Sequence, residues 1–196
     1  MSGGVLALVA VGGWLMMGKG QAASGELRTR LHGTRGEPYA DAYATFGGEL
    51  AGVLDLTADE WAAVGFGLTD RESLCGQVFS PPGPKGTGDG GLAHGIWQVH
   101  QKYWPQILAA PGDPVHGARI AAQVVRQAAV SLSRELVGRA PAEALRAVVA
   151  AYNAGPGAVG TALRAGLEPD SVTTGKNYGR DVLMRAYAVW PAKAVA

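Results

Sequence analysis

Glu72 is the residue whose setting in the sequence best suits acid–base chemistry. Its spacing from Trp61, Val64 and Leu68 matches a helical period of about 3.6 residues, so all four side chains share one helix face. Because the other three are apolar, the carboxyl group should be partly desolvated, which helps it stay protonated as a general acid near neutral pH. The same spacing also suits a solvated glutamate at a helix end, or one paired with Arg71 or a distant arginine.

Three short motifs follow one another along the chain: RESLCG at residues 71–76, GDGGLAHGIWQV at residues 88–99 and AYNAGPG at residues 151–157. Together they resemble the goose-type lysozymes and the related soluble lytic transglycosylases. The YNAG element is similar to one that both groups share, whereas the GDxGxxxGxxQ pattern resembles the goose-type branch. The later segment TTGKNYGRDV, at residues 173–182, resembles the closing helix of that branch. The resemblance covers about residues 57–190 and suggests a bacteriophage or bacterial member.

This resemblance implies a lysozyme-like fold and cleavage of the β-1,4 bond between N-acetylmuramic acid and N-acetylglucosamine in peptidoglycan. By position, Glu72 matches the catalytic acid, and Asp89 matches one of two aspartates thought to hold the attacking water. The other aspartate falls at His100 in this sequence. That departure matters because a neutral imidazole can orient water or accept a hydrogen bond from it but supplies no fixed negative charge at pH 7.

Two reactions at this bond remain open. Hydrolysis generally uses two carboxyl groups, about 6.5–9.5 Å apart in inverting enzymes, and the glycine-rich loop around Asp89 could present it at that distance from Glu72. A lytic transglycosylase needs one acid only, because the muramic 6-hydroxyl attacks intramolecularly and leaves 1,6-anhydromuramic ends. We expect hydrolysis because Asp89 is present, with the lyase as the alternative. An alternative of another class is an inactive wall-binding or structural module of a phage or secretion assembly.

Five further residues are candidates for binding the glycan strand. The resemblance matches Gln98 and Tyr152 to cleft residues and Tyr178 to a tyrosine near the acid; amide and phenol groups can hydrogen-bond the polar groups of a sugar. His100 and Asn153 complete the set. Tyr152 also continues an apolar helical stripe and would suit the core, and Asn153 would also suit a helix end.

Helices should position most of these residues. Thr57 and Glu60 form a capping box that predicts a helix start, and Gly76 is a natural end for that helix. Apolar periodicity and terminal residues predict three more helices, at residues 113–138, 141–153 and 177–190. Residues 80–95 form a Pro/Gly-rich segment of a length that a compact domain avoids unless the loop has a function. We therefore expect a mainly α domain, to which the resemblance adds a small β element.

Composition narrows the function classes. The chain has 196 residues and a formal charge of +1, which suits one domain and gives no basic surface for nucleic acid. The single cysteine, Cys75, cannot form an intrachain disulfide and is expected to be a small packed residue. The four histidines lack metal-ligand spacing, so we expect no metal and no cofactor. Trp97 and Trp104 could stack on sugar rings or fill the core.

The amino-terminal region suggests transport or anchoring. Residues 2–18 are uncharged and moderately apolar, and residues 20–22 would serve as a small-x-small cleavage site, but no basic residue precedes the apolar run. We expect residues 1–22 to be a signal peptide or a weak anchor, with a packed segment as the alternative, so that residues 1–18 could contact a membrane. Residues 23–38 are predicted to be a linker and residues 39–196 the catalytic domain. The expected location is the periplasm, the cell envelope or the exterior, including a phage virion or a signal-anchored endolysin.

Overall fold

The computed structural model describes residues 22–80, 82–83 and 86–190. This part of the chain is mainly helical, as expected. Its helices are α1 (Gly25–Leu31), α2 (Ala40–Leu50), α3 (Ala58–Ser73), α4 (Pro114–Ser131), α5 (Ser133–Leu136), α6 (Pro141–Ala154), α7 (Pro156–Arg164) and α8 (Tyr178–Val189). Three two-residue strands form the described sheet: β1 (Thr87–Gly88), β2 (Ala93–His94) and β3 (Val99–His100). Among the described residues, no helix has the length and apolar character that crossing a bilayer requires.

Local signals at the helix starts account for the predicted helices. Thr57 Oγ1 accepts a hydrogen bond from the Glu60 N–H, and the Glu60 side chain accepts one from the Thr57 N–H, so the predicted capping box is confirmed. Asp113 caps α4 by accepting from the N–H groups of Val115 and His116. Proline occupies the first turn of both α4 and α6, where its missing N–H costs no helical hydrogen bond.

The helix boundaries differ from the predicted ones in detail. The helix expected over residues 113–138 is interrupted at Leu132, which separates α4 from α5. Its apolar face is confirmed, since Ala121, Val125, Ala128 and Leu132 are buried. Helices α2 and α7 were not predicted from the sequence. Most residues of α2 are buried, so this helix lacks the polar face on which a periodicity argument depends.

The linker predicted at residues 23–38 is wrong. Ser24 caps α1 by accepting from the Leu27 N–H, and the side chains of Leu27 and Leu31 are fully buried in the core. A helix of seven residues is too short for its two leucines to show a clear period among polar neighbours. The hydrophobic segment predicted at residues 1–22 lies outside the described residues, apart from Ala22.

Helix α3 is buried along residues 61–69 and packs against both α2 and α8. Two glycines allow these close approaches. A Cβ atom at Gly47 would lie 2.0 Å from the carbonyl oxygen of Ala58, and one at Gly67 would lie 2.3 Å from that of Val182. Trp97 is buried and stacks on Phe46 with ring centroids 4.9 Å apart, so it fills the core and is not a sugar platform.

The sheet is an antiparallel meander in the order β1-β2-β3, which adds the expected small β element to the helical body. Gly88 pairs with Ala93, and Ala93 in turn pairs with His100. Strand β3 packs against α4. The turn between β1 and β2 begins at Asp89, so the meander carries Asp89 and His100 on neighbouring segments.

Candidate active site

Glu72 lies in the last turn of α3, and the chain leaves the helix directly after it. Leu74, Cys75 and Gly76 all have positive φ angles, of 47°, 53° and 84°, which ends the helix at Ser73. The buried Ser73 hydroxyl donates to the Ile96 carbonyl oxygen at 2.8 Å and accepts from the Gly76 N–H at 2.8 Å. This contact joins the end of α3 to the turn between β2 and β3.

Tyr178 is the hydrogen-bond partner of Glu72. Its hydroxyl donates to Glu72 Oε1, and only 2% of the residue is exposed. Burial, followed by the charge of Glu72 and this hydrogen bond, holds the pKa of Tyr178 well above its usual range. The tyrosine predicted to lie near Glu72 therefore does so, as a hydrogen-bond donor to its carboxyl group.

Burial raises the pKa of Glu72 to about 7. The hydrogen bond from Tyr178 and the positive charge of Arg71 lower it, and the negative charge of Asp89 raises it further. The burial effect dominates because the protein packs around the carboxyl group while part of the residue stays exposed. At neutral pH this group is therefore a proton donor in a substantial fraction of molecules.

Asp89 and His100 lie close to each other at the small sheet. Asp89 has φ of 54°, and its side chain is 56% exposed. Its Oδ2 atom lies 3.6 Å from Nε2 of His100, whose side chain is 23% exposed. Because the charge of Asp89 acts on the pKa of Glu72, the two carboxyl groups that the sequence analysis singled out share one electrostatic environment.

Tyr152 connects α6 to the same region. Its hydroxyl donates to the Trp97 carbonyl oxygen at 2.8 Å, in the turn before β3. Burial, with a smaller contribution from the charge of Glu72, raises the pKa of Tyr152 well above its usual range. Tyr152 therefore lies near Glu72. Because its hydroxyl already donates its proton to the Trp97 carbonyl oxygen, it can only accept a hydrogen bond from a sugar.

Gln98 and Asn153 shape the loops of the site. The Gln98 amide donates to the Gly95 carbonyl oxygen at 2.7 Å, and its Oε1 atom occupies the space that a Cβ atom at Gly88 would need. Asn153 Oδ1 accepts from the Thr174 N–H at 2.9 Å. Both amide groups therefore contact the protein, and their role in binding a glycan strand stays a prediction.

Arg71 does not pair with Glu72, which was one alternative for that glutamate. Its Nε atom lies 2.9 Å from Asp181 Oδ2, and its guanidinium lies 5.6 Å from the Tyr178 ring centroid. Asp181 also pairs with Arg185, which reaches Asp70 on α3. This network joins α3 to α8. The four-residue spacing of Asp181 and Arg185 is a local signal in the sequence from which that pair could have been predicted.

Asp170 was also missed, although it fixes the start of α8 and hence Tyr178. It is 3% exposed and accepts from the N–H groups of Gly179 and Arg180 at 2.6 and 3.1 Å. Arg146 Nε donates to the same carboxylate at 2.9 Å. A carboxylate at a helix amino terminus is stabilised by the free N–H groups there. Asp170 lies eight residues before the first residue of α8. Capping motifs involve only residues next to the helix start, so they do not identify Asp170 in the sequence.

Two other predictions concern redox and metal chemistry. Cys75 is 2% exposed and lies beside the hydroxyls of Tyr43 and Thr69, which confirms it as a packed core residue. Burial raises the pKa of its thiol. Within residues 22–80, 82–83 and 86–190, no group of three or more His, Cys, Asp or Glu side chains is arranged to hold a metal ion.

No protein-family model matches the chain, and no curated protein is significantly similar to it. The Glu72 carboxyl group, hydrogen-bonded to Tyr178, can supply a proton to a leaving group at neutral pH. Asp89, whose charge acts on Glu72, is a carboxylate that can accept one.

Proposed function

We propose that the protein is a muramidase that cleaves the β-1,4 bond between N-acetylmuramic acid and N-acetylglucosamine, with Glu72 as general acid. The observation that carries this proposal is the Glu72 carboxyl group, hydrogen-bonded to Tyr178 and with a pKa raised to about 7. The three motifs at residues 71–76, 88–99 and 151–157 support peptidoglycan as the substrate. The helical body with one small sheet is compatible with a lysozyme-like fold, which belongs to the same proposal.

In the proposed hydrolysis, the Glu72 proton moves to the leaving oxygen O4 as the bond between C1 and O4 breaks and its electron pair goes to O4. The oxygen of a water molecule forms a new bond to C1, and this water gives a proton to the Asp89 carboxylate. Glu72 suits the first step because a general acid works best with a pKa near the working pH. Asp89 suits the second step because its side chain is more than half exposed and can reach solvent.

A lytic transglycosylase is the second candidate, and the residue that favours it is His100. Where the resemblance implies a second aspartate, this chain has an imidazole beside Asp89. With a less well-held water, the muramic 6-hydroxyl could attack C1 instead. Its proton would pass to the Glu72 carboxylate, which has just protonated O4, and the product would carry a 1,6-anhydro ring.

The test is digestion of purified cell-wall sacculi by the wild-type chain and by Glu72→Gln. We expect the substitution to lower turnover by a factor of about 10² to 10⁴, because glutamine keeps the size of the side chain but cannot donate a proton as an acid. Mass spectrometry of the released muropeptides then identifies the reaction. Reducing ends indicate hydrolysis, and 1,6-anhydro ends indicate the lyase.

The matched control is Glu143→Gln, the same chemical change at an exposed position in the first turn of α6. It should leave turnover unchanged. Full activity of Glu72→Gln would contradict the assignment of Glu72. Binding of sacculi without release of fragments by the wild-type chain would favour the third candidate, an inactive wall-binding or structural module.

The location follows from the proposed substrate. Peptidoglycan is met in the periplasm, in the cell envelope or outside the cell, and residues 1–18 would serve as a signal or an anchor for such a protein. Determination of the amino terminus after expression in bacteria tests this: a start near Ala23 indicates cleavage, whereas an intact Met1 indicates an anchor or a packed segment.

A further inference from the structure

The imidazole of His100 is contacted on three sides. Its Nδ1 atom accepts a hydrogen bond from the Lys102 backbone N–H at 3.2 Å. The Tyr103 ring lies against it, with ring centroids 5.3 Å apart. Its Nε2 atom faces Asp89 Oδ2 at 3.6 Å. These contacts, together with its position on β3, give the ring a defined orientation at the edge of the site.

The contact with Lys102 determines which nitrogen carries the proton in the neutral ring. A backbone N–H can only donate, so Nδ1 must hold its lone pair toward Lys102, and the proton lies on Nε2. The Nε2–H group is therefore the one that faces the Asp89 carboxylate. It follows that neutral His100 has no lone pair available to take a proton from water.

The Asp89 side chain is the group that the Nε2–H group of His100 can orient. It follows β1 directly and has a positive φ angle, and its side chain is 56% exposed. A carboxylate this exposed would sample several rotamers without a nearby group that favours one of them. The Nε2–H group of His100 favours the rotamer that turns Oδ2 toward β3.

We propose that His100 is a positioning residue: its Nε2–H group orients Asp89 through Oδ2, which leaves Oδ1 to hold the attacking water. This inference rests on the proposed function. Water adds to C1 through its oxygen, O4 leaves with the bond electrons and the Glu72 proton, and the water proton goes to Asp89 Oδ1. His100 takes no proton in this step. By orienting the Asp89 carboxylate, His100 compensates for the second aspartate that the resemblance implies at its position.

The experiment measures the partition between two products of the same bond cleavage. Full-length wild type, His100→Ala, His100→Gln and His100→Asn digest purified sacculi, and mass spectrometry gives the ratio of 1,6-anhydro to reducing ends. In His100→Ala the water is held less well, so we expect this ratio to rise and the rate of hydrolysis to fall by up to about fivefold, the effect of losing one partly exposed polar contact with a carboxylate.

The glutamine and asparagine variants separate positioning from simple packing. The side-chain amide of glutamine can place an N–H near the position of Nε2, whereas that of asparagine ends near the position of Nδ1. His100→Gln should therefore restore the wild-type product ratio and His100→Asn should not. This comparison decides the matter even if His100→Ala fails to fold. His32→Ala, which removes an exposed imidazole paired with Glu37, is the control and should leave the ratio unchanged.

The outcomes distinguish the inference from the function on which it rests. Equal ratios in wild type, His100→Asn and His100→Gln would overturn the role of His100 while leaving Glu72 as the acid. A wild-type chain that releases only 1,6-anhydro ends would also overturn it, since Asp89 would then hold no attacking water. Absence of any cleavage by the wild type would reject the proposed function itself.

Discussion

The Glu72 carboxyl group reduces the stability of the fold when it is ionised. Burial raises its pKa from an ordinary value of 4.5 to about 7, so the folded state binds this proton more tightly than the unfolded chain does. Its contribution to the free energy of unfolding is therefore complete below pH 4.5 and is lost as the pH rises to about 7. With roughly 1.36 kcal/mol for each pKa unit, the loss is about 3 kcal/mol.

This linkage predicts a pH-dependent effect of Glu72→Gln on stability. Glutamine stays neutral at every pH, so the variant should match wild type near pH 4 and exceed it by up to about 3 kcal/mol near pH 8.5. Urea denaturation at the two pH values measures the difference. The Glu143→Gln control should show no such divergence, because Glu143 is exposed. Equal stability of wild type and Glu72→Gln at pH 8.5 would show that the carboxyl group is not desolvated.

The desolvation of Glu72 was predictable from the sequence, because an apolar helical stripe ends at this carboxyl group. The partners of the residue were not. Tyr178 lies 106 residues away along the chain, and Arg71, the nearest cation in sequence, pairs with Asp181 instead. Local spacing says which side chains share a helix face, but not which group of a distant element meets them.

At the scale of secondary-structure elements, the packing of α3 against α8 sets the distance between Glu72 and Tyr178. Gly67 lies where the two helices approach, and a Cβ atom there would meet the backbone of Val182 and Ala186 at 2.3 and 3.1 Å. Both contacts are with backbone atoms, which cannot move without moving α8. Tyr178 is at the beginning of that helix, so any displacement would also affect its hydrogen bond to Glu72.

Gly67→Ala should therefore destabilise the protein by about 1–3 kcal/mol through overpacking, although alanine is the better helix former by about 1 kcal/mol. Thermal denaturation measures the stability, and turnover on sacculi should fall with the altered geometry. Gly157→Ala in α7 is the matched control, because its Cβ atom would meet nothing within 4 Å. It should be neutral or slightly stabilising. If the two variants behaved alike, the close approach of α3 and α8 would not be tight.

Helices were predictable where their ends carry chemical signals. The Thr57 capping box and the Asp113 cap both begin helices in the structure. Helix α2 was missed because its first residue follows a 3-10 turn with no side-chain cap and most of its surface is buried. Where burial is nearly uniform around a helix, the sequence shows no apolar periodicity. The formation of such a helix then depends on its contacts with other elements.

At the scale of the whole molecule, the domain begins earlier than composition suggests. Leu27 and Leu31 of α1 belong to the same core as α2 and α3, and both are fully buried. Arg30 of that helix also lies over the Trp190 ring, 4.4 Å from its centroid. Helix α1 thus connects residues near the two ends of the described chain.

Leu31→Ala tests whether α1 is part of the fold. Removing a fully buried leucine should lower the free energy of unfolding by about 2–5 kcal/mol, as core truncations do. Chemical denaturation of the full chain measures this. Thr29→Ala, an exposed change on the same helix, should stay within about 0.5 kcal/mol of wild type. An unchanged free energy of unfolding in Leu31→Ala would indicate that residues 23–38 are a linker after all.

Asp89 was chosen through the resemblance of its motif to the goose-type lysozymes. The sequence alone determined the mainly helical class, the capped helices α3 and α4, and the choice of Glu72 as the residue most suited to acid–base chemistry. These conclusions depend on residue type and on spacing within about one helix, which are local properties. Only the tertiary structure decided that Tyr178 donates to Glu72, that Asp170 fixes the start of α8 and that Gln98 supports a turn. It also decided that the Lys102 N–H donates to Nδ1 of His100. Those facts depend on which backbone groups distant elements bring together, and on how much water the packing removes from each carboxyl group.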